Sequence, residues 1–279
     1  RLNSSLSRFD RPENPIDQVR TETLQACLEK AATKPGMFRL TVPTGGGKTI
    51  ISLAFGMRHA VANGLDRIIY VIPYTSIIEQ TAEVFRNFLG AANILEHHSN
   101  FDWQGLAGSV NSTSEDSLTD ETVEKLKRAA ENWDIPVVVT TNAQFFESLY
   151  ANRPSRCRKL HRIARSVIIF DEVQMFPRDF LKPCLYAICE LVKNYGCSVV
   201  FCSATQPNLE YFLPEDFRPV ELAQNPAELE RFYKRVQVRQ AGVLSDEQLI
   251  AQLNSHRQVL CIVNTRRHAR GMFEGLDPE

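Results

Sequence analysis

One short run holds the residue types that a polyphosphate chain requires. Val42-Pro-Thr-Gly-Gly-Gly-Lys-Thr49 packs three glycines, a lysine and two threonines into eight positions. Phosphate oxygens need backbone N–H groups turned toward them, and Gly45, Gly46 and Gly47 let the chain wrap that closely, with Thr44 at its start. Lys48 supplies a point charge to the β- and γ-phosphates, and the Thr49 hydroxyl is a ligand for Mg²⁺. The full pattern opens on glycine, where this chain has Val42. An apolar strand before the run and a helix after it separate the motif from a chance glycine-rich turn. The chemistry expected is binding of Mg²⁺ and ATP.

A second candidate is Val167-Ile-Ile-Phe-Asp-Glu-Val-Gln174. An apolar strand ending in two acids sets both carboxylates at the carboxyl edge of a sheet, where ligands bind in open α/β folds. Asp171 is then a magnesium ligand, and Glu172 the group that orients and polarises an attacking water. Acids after a strand are commonly only loop solvation; the upstream phosphate loop is what gives this pair meaning. Third comes Ser203-Ala-Thr205, directly after the strand Val199 to Cys202. Alone it reads as a turn or a cap. With the other two, Gln174, Ser203 and Thr205 become candidates for coupling nucleotide state to movement.

The elements needed to position these residues follow from periodicity. Helical spacing runs over 17–32, 49–62, 76–89, 121–132, 143–150 and 180–195, and short apolar strands over 38–42, 67–72, 137–140, 167–170 and 198–202, with a weaker one near 93–96. Strands that are apolar throughout and alternate with helices predict an α/β fold with a parallel sheet covered on both faces. Residues 1–16 read as a linker, 17–205 as the nucleotide-binding lobe, and the proline-bearing 206–230 as a second linker. Residues 102–118 read as a loop. From 231 to 279 the texture is βαβα-like again, with strands expected at 235–238 and 259–263 and helices at 246–254 and 268–274. That stretch is expected to be the incomplete start of a second lobe, and Arg1 rather than Met opens the chain.

Composition narrows the class. Of 279 residues 43% are apolar and 23% charged, which excludes disordered and collagenous chains. No apolar run approaches the roughly 20 residues of a membrane span. A formal net charge of −1 excludes a globally basic nucleic-acid binder but leaves room for a basic groove. Arg153, Arg156, Arg158, Lys159, Arg162 and Arg165 form such a run, which could track a phosphate backbone or be a solvated helix face. Seven cysteines, odd in number and without paired Cys-x-x-Cys spacing, read as buried thiols of a cytoplasmic protein rather than as a zinc site. His97 and His98 are adjacent on a strand and point to opposite faces, so a shared metal is not expected.

The order of phosphate loop, Asp-Glu-x-Gln and Ser-Ala-Thr resembles that of superfamily 2 helicases. The resemblance implies RecA-like lobes, an adenine-reading role for Gln18, and nucleic-acid or inter-domain roles for Pro73-Tyr-Thr-Ser76, Val139-Thr-Thr-Asn142 and Val263-Asn-Thr265. The residues so implicated are Tyr74, Thr75, Thr140, Thr141, Asn142, Asn264 and Thr265, with Arg156, Arg158 and Lys159 from the basic run. The linking segments resemble one family more closely. Glu96-His-His-Ser-Asn100, Asn132 through Asn142, Phe145-Phe-Glu-Ser-Leu149, Asn152 through Leu160 and Phe170-Asp-Glu-Val-Gln-Met-Phe-Pro177 are similar to the CRISPR-associated type I helicase–nucleases, with a leaning toward subtype I-C. That resemblance implies a motor that reels single-stranded DNA for a histidine–aspartate nuclease and a CRISPR surveillance complex (Cascade) as partner, with no membrane involved and any inhibitor protein unknown. None of the six histidines here is followed by Asp, so the nuclease motif is absent from this chain, as is the arginine finger expected of a second lobe. The isolated chain is therefore expected to turn ATP over near background. A different superfamily 2 RNA or DNA motor and a non-hydrolysing interaction module are the alternatives.

Overall fold

A computed structural model describes residues 12–98 and 120–276 of the chain. Seven strands form one parallel sheet: β1 (Met37–Thr41), β2 (Arg67–Ile72), β3 (Ile94–His97), β4 (Val137–Thr141), β5 (Ser166–Phe170), β6 (Ser198–Ser203) and β7 (Val220–Glu221). Their spatial order is β3-β4-β2-β5-β6-β1-β7. Helices cross between them: α1 (Pro15–Glu29), α2 (Lys48–Asn63), α3 (Thr75–Leu89), α4 (Asp120–Asn132), α5 (Asn142–Tyr150), the single turns α6 (Pro154–Cys157) and α7 (Leu160–Ile163), and α8 (Leu181–Asn194).

Period-two alternation sorts the apolar strands between two cores. Ile68, Tyr70 and Ile72 of β2 face one side with Phe38, Ile169 and Val200, packed by Ile51 and Phe55 of α2 and by Ile78 and Phe85 of α3. Ile69 and Val71 face the other with Phe170 and Phe201, packed by Trp133, Phe145, Leu185 and Ile188. Burial on both faces is why the strands carry no polar stripe.

Register matters most in the middle of the sheet. Thr41 of β1 lies opposite Ser203 of β6, and Phe170 of β5 opposite Phe201. Three strands therefore end side by side, although long stretches of chain separate them.

Two expectations are corrected. The second linker expected over 206–230 is largely built into the first lobe. β7 pairs with β1 through Phe38–Val220 and Arg39–Glu221, and Leu222, Ala223 and Leu229 join the core, the last from α9 (Pro226–Phe232). Its prolines sit outside these contacts, except Pro226, which opens α9 where a missing N–H costs nothing. The first linker also ends early, because Asn14 caps α1 by accepting the Asp17 N–H at 2.9 Å. The loop expected over 102–118 lies outside the described residues.

The chain divides into two compact units between Lys234 and Arg235. In the second, α10 (Asp246–Asn254) starts from a capping box of Ser245 and Gln248, and α11 (Arg266–Glu274) from Thr265. Neither strand expected there forms. A strand exists only through a partner's hydrogen bonds, and among the described residues none pairs with 235–238 or 259–263. Leu260 and Ile262 stay more than four-fifths exposed, at 83% and 84%.

Candidate nucleotide site

The ends of β1, β5 and β6 bring the three motifs to one edge. A cleft of about 710 Å³ is lined there by Arg20, Pro43, Thr44, Gly45, Gly47, Lys48, Thr49, Pro73, Asp171 and Glu172, among others. Gly47 holds the left-handed φ of 83° that starts α2, so the helix's free N–H groups open toward the cleft. Gly46 turns the other way and is buried. A Cβ at that position would meet Val42 Cγ1 at 2.5 Å and the Pro43 carbonyl at 3.1 Å. Val42, where the common pattern has glycine, is a core residue filling the space beneath the loop.

Lys48 lies between the two acids. Its ammonium is 3.1 Å from Asp171 Oδ1 and also pairs with Glu172 Oε1. Burial opposes its charge, but the two carboxylates outweigh that and hold the ammonium above the ordinary lysine value. Burial likewise works to raise Glu172, and the bonds from Lys48 and Gln174 overcome it, so the carboxyl is held below its usual range. Both groups are ionised at neutral pH, as a phosphate-binding ammonium and a water-polarising carboxylate must be. Glu172 is itself in a left-handed conformation, φ 49°, which costs a non-glycine residue of order 1 kcal/mol or more.

From Glu172 a chain of polar contacts leads to β6. Gln174 Nε2 donates to Glu172 Oε2 at 2.6 Å, and the buried Ser203 hydroxyl donates to Gln174 Oε1 at 2.7 Å. Ser203 in turn accepts the Thr205 N–H at 3.1 Å. These are the residues singled out for coupling, joined here in one line.

Two contributors carried no motif. Arg20 of α1 donates from Nε and Nη2 to the Gly45 carbonyl, at 3.0 and 2.6 Å, and pairs with Asp17. Tyr70 of β2, fully buried, donates to Asp171 Oδ2 at 3.2 Å. Arg20 sits two places from the glutamine that the sequence favoured, and Tyr70 reads as one more apolar strand residue.

Gln18 does not line the cleft; it is exposed and bonds to Glu22 at 3.0 Å. The nucleic-acid candidates divide. Tyr74 and Thr75 are exposed at the start of α3, beside Pro73 of the cleft. Thr140 is buried and donates to the His97 carbonyl at 2.8 Å, while Thr141 caps α5. Asn142 is also buried, and Asn264 and Thr265 lie in the second unit.

The basic run is largely taken up by the protein itself. Lys159 is buried with its ammonium 5.7 Å from the centre of the Trp133 ring. Arg158 pairs with Glu131 at 3.1 Å, Arg162 with Asp134 at 2.9 Å, and Arg165 donates to the Gly64 carbonyl. The side chain of Arg156 lies outside the description. The run also lies between the end of α5 and the start of β5, which places it toward the sheet edge opposite the cleft.

Magnesium fits this cleft. Asp171 and Thr49 offer the hard oxygen donors it prefers, and it commonly takes one or two protein ligands and completes its shell with water and phosphate. Among the described residues no three His, Cys, Asp or Glu side chains gather as a metal cage, and the cysteines are free thiols. No described helix is long and apolar enough to cross a membrane.

Comparison with known proteins agrees with this geometry. Residues 19–212 match the DEAD/DEAH box helicase family. Over 189 residues, 64% of this chain and 20% of the relative, the sequence is 33% identical to the CRISPR-associated nuclease/helicase Cas3 of Haloferax volcanii. The chain thus spans about a fifth of that relative's length. Among solved structures, T. fusca Cas3-AMPPNP superposes with a TM-score of 0.51 at 20% identity, covering 72% of this chain and 22% of that one. T. fusca Cas3-ATP gives 0.52 at 18% identity, over 71% and 21%.

Proposed function

The chain belongs to the DEAD/DEAH box helicase family, and from that premise we propose that it is the ATP-hydrolysing motor lobe of a CRISPR-associated helicase–nuclease that moves along single-stranded DNA. The observation that carries the motor reading is the meeting of Lys48, after β1, with Asp171 and Glu172, after β5, across the end of β6, with Gln174 and Ser203 in line behind them. Lys48 exchanges its carboxylate partners for the β- and γ-phosphates. Glu172, released from the ammonium, orients the attacking water and takes up its proton. Gln174 and Ser203 link that event to the end of β6. Magnesium, held by Thr49 and Asp171, would neutralise charge on the phosphates.

The CRISPR assignment rests on the linking segments and on the identity to the Haloferax volcanii protein. On this reading the longer protein works in the cytoplasm, receives its DNA from a CRISPR surveillance complex, and passes the strand to a nuclease. Tyr74 and Thr75, exposed beside the cleft, are the DNA contacts best placed to sense nucleotide. The test is phosphate release by the intact protein with single-stranded DNA, duplex DNA or RNA. Strong stimulation by single-stranded DNA is expected. Stimulation by RNA alone would move the chain to another branch of the family, and no ATP turnover under any condition would overturn the motor reading.

A further inference from the structure

Beneath the cleft, one of the groups expected to hold magnesium is bonded from within the core. Thr49 lies in the first turn of α2 and Asp171 follows β5, so nothing in the chain fixes their separation. The Thr49 carbonyl accepts from the Ser52 hydroxyl at 3.1 Å. Tyr70 Oη donates to Asp171 Oδ2 at 3.2 Å, and Ser52 Oγ stands 3.3 Å behind it; with both hydroxyl protons already engaged, that last contact is packing and not a hydrogen bond. Ser52 and Tyr70 are both fully buried, and the Tyr70 ring is held edge-on against Phe85 with centroids 5.0 Å apart. The other carboxylate oxygen, Oδ1, is engaged by Lys48 and by the Glu172 N–H at 3.0 Å.

Resting on the nucleotide reading above, we infer that Tyr70 is a positioning residue for the metal: its hydroxyl sets the carboxylate plane of Asp171 from within the core, with Ser52 packed behind it. Two features support a role beyond packing. A buried hydroxyl in an apolar strand costs free energy unless it is bonded, and phenylalanine would fill the same space without that cost. The hydroxyl's acceptor is the carboxylate expected to hold the metal. Magnesium tolerates little departure from octahedral geometry, so a carboxylate fixed in advance favours it.

Calorimetric titration of the intact protein with a non-hydrolysable ATP analogue, in EDTA and across a Mg²⁺ series, tests this. Tyr70→Phe should bind the analogue normally in EDTA. It should need roughly 10-fold or more Mg²⁺ for the same gain in affinity, the scale of effects seen when a partner of a metal ligand is lost. Ser52→Ala should shift in the same direction by less, because Tyr70 still reaches Asp171. A native Mg²⁺ dependence in Tyr70→Phe overturns the inference. So does an equal loss of affinity with and without the metal, which would make the hydroxyl a support of the fold alone. If the unaltered protein binds no analogue, the nucleotide reading itself fails.

Discussion

The nucleotide cleft and the basic run before β5 both concentrate charge in a short stretch, but the fold uses them in different ways. At the cleft, Lys48 after β1 and Asp171 and Glu172 after β5 meet around a solvent-open volume. In the basic run, Lys159 is buried over Trp133, while Arg158, Arg162 and Arg165 are bonded to neighbouring acids or carbonyls. A cation serves a ligand when its partners can be exchanged and space lies in front of it. A cation whose stem packs in the core and whose head rests on a ring serves the fold.

The strongest way to break this contrast is Glu172→Gln in the intact protein. Phosphate release should fall by about 10²–10⁴-fold, the usual contribution of a proton-transfer group, with analogue binding retained. An active variant would remove Glu172 from the chemistry. Next in size, Lys48→Ala should weaken ATP binding by about 3 kcal/mol, roughly 100-fold, as expected when one partner of a buried charge pair is removed. Equal affinity by calorimetry would place the phosphates elsewhere.

The cluster around Lys159 has a pH signature that the cleft does not share. Burial first, then Lys159 and His98, push His97 down to about 4. The native state therefore favours neutral His97. Its stabilisation is complete above the unfolded value near 6.5 and is lost as pH falls through that value toward 4. Urea midpoints should register a loss of about 2 kcal/mol between pH 7 and pH 5 from this group. His97→Asn should flatten that part of the profile, and an unchanged profile would show that His97 does not set it.

Smaller still, Lys159→Ala should cost about 1 kcal/mol through the lost ring contact and packed stem. Arg158→Ala, an exposed pair, should cost under about 0.5 kcal/mol. Arg158→Ala is also expected to leave the salt dependence of single-stranded DNA binding unchanged. A slope smaller by about 0.7 would return the run to the DNA path and erase the contrast.

The phosphate loop was legible because its chemistry is local. Gly45 to Thr49 carry their own backbone geometry, a charge and a hydroxyl, and they need only a strand before and a helix after. The alternation of apolar strands with helices was legible for a similar reason, since burial on both faces leaves a continuous apolar run. Contacts between distant residues were not. Gln18 and Arg20 lie on opposite faces of α1, about 200° apart, and only packing decides that the Arg20 face meets the Gly45 carbonyl while Gln18 stays with Glu22. Tyr70 looks like any core aromatic until β2 and β5 pair and place Asp171 beside its hydroxyl. Val220 and Glu221 became a strand because β1 had an open edge, not because two residues carry a periodic signal.

By itself, then, the sequence determined which residues could bind phosphate and polarise water, and that they would lie at strand ends of a parallel sheet. Tertiary structure decided that β1, β6 and β5 are neighbours, so that three motifs scattered from 42 to 205 form one site. It also decided which charges remain available to a ligand. The physical reason is the same in both cases. Backbone conformation and apolar pattern are encoded within a few residues, whereas strand order and the partner of a long charged side chain depend on what the rest of the chain brings alongside.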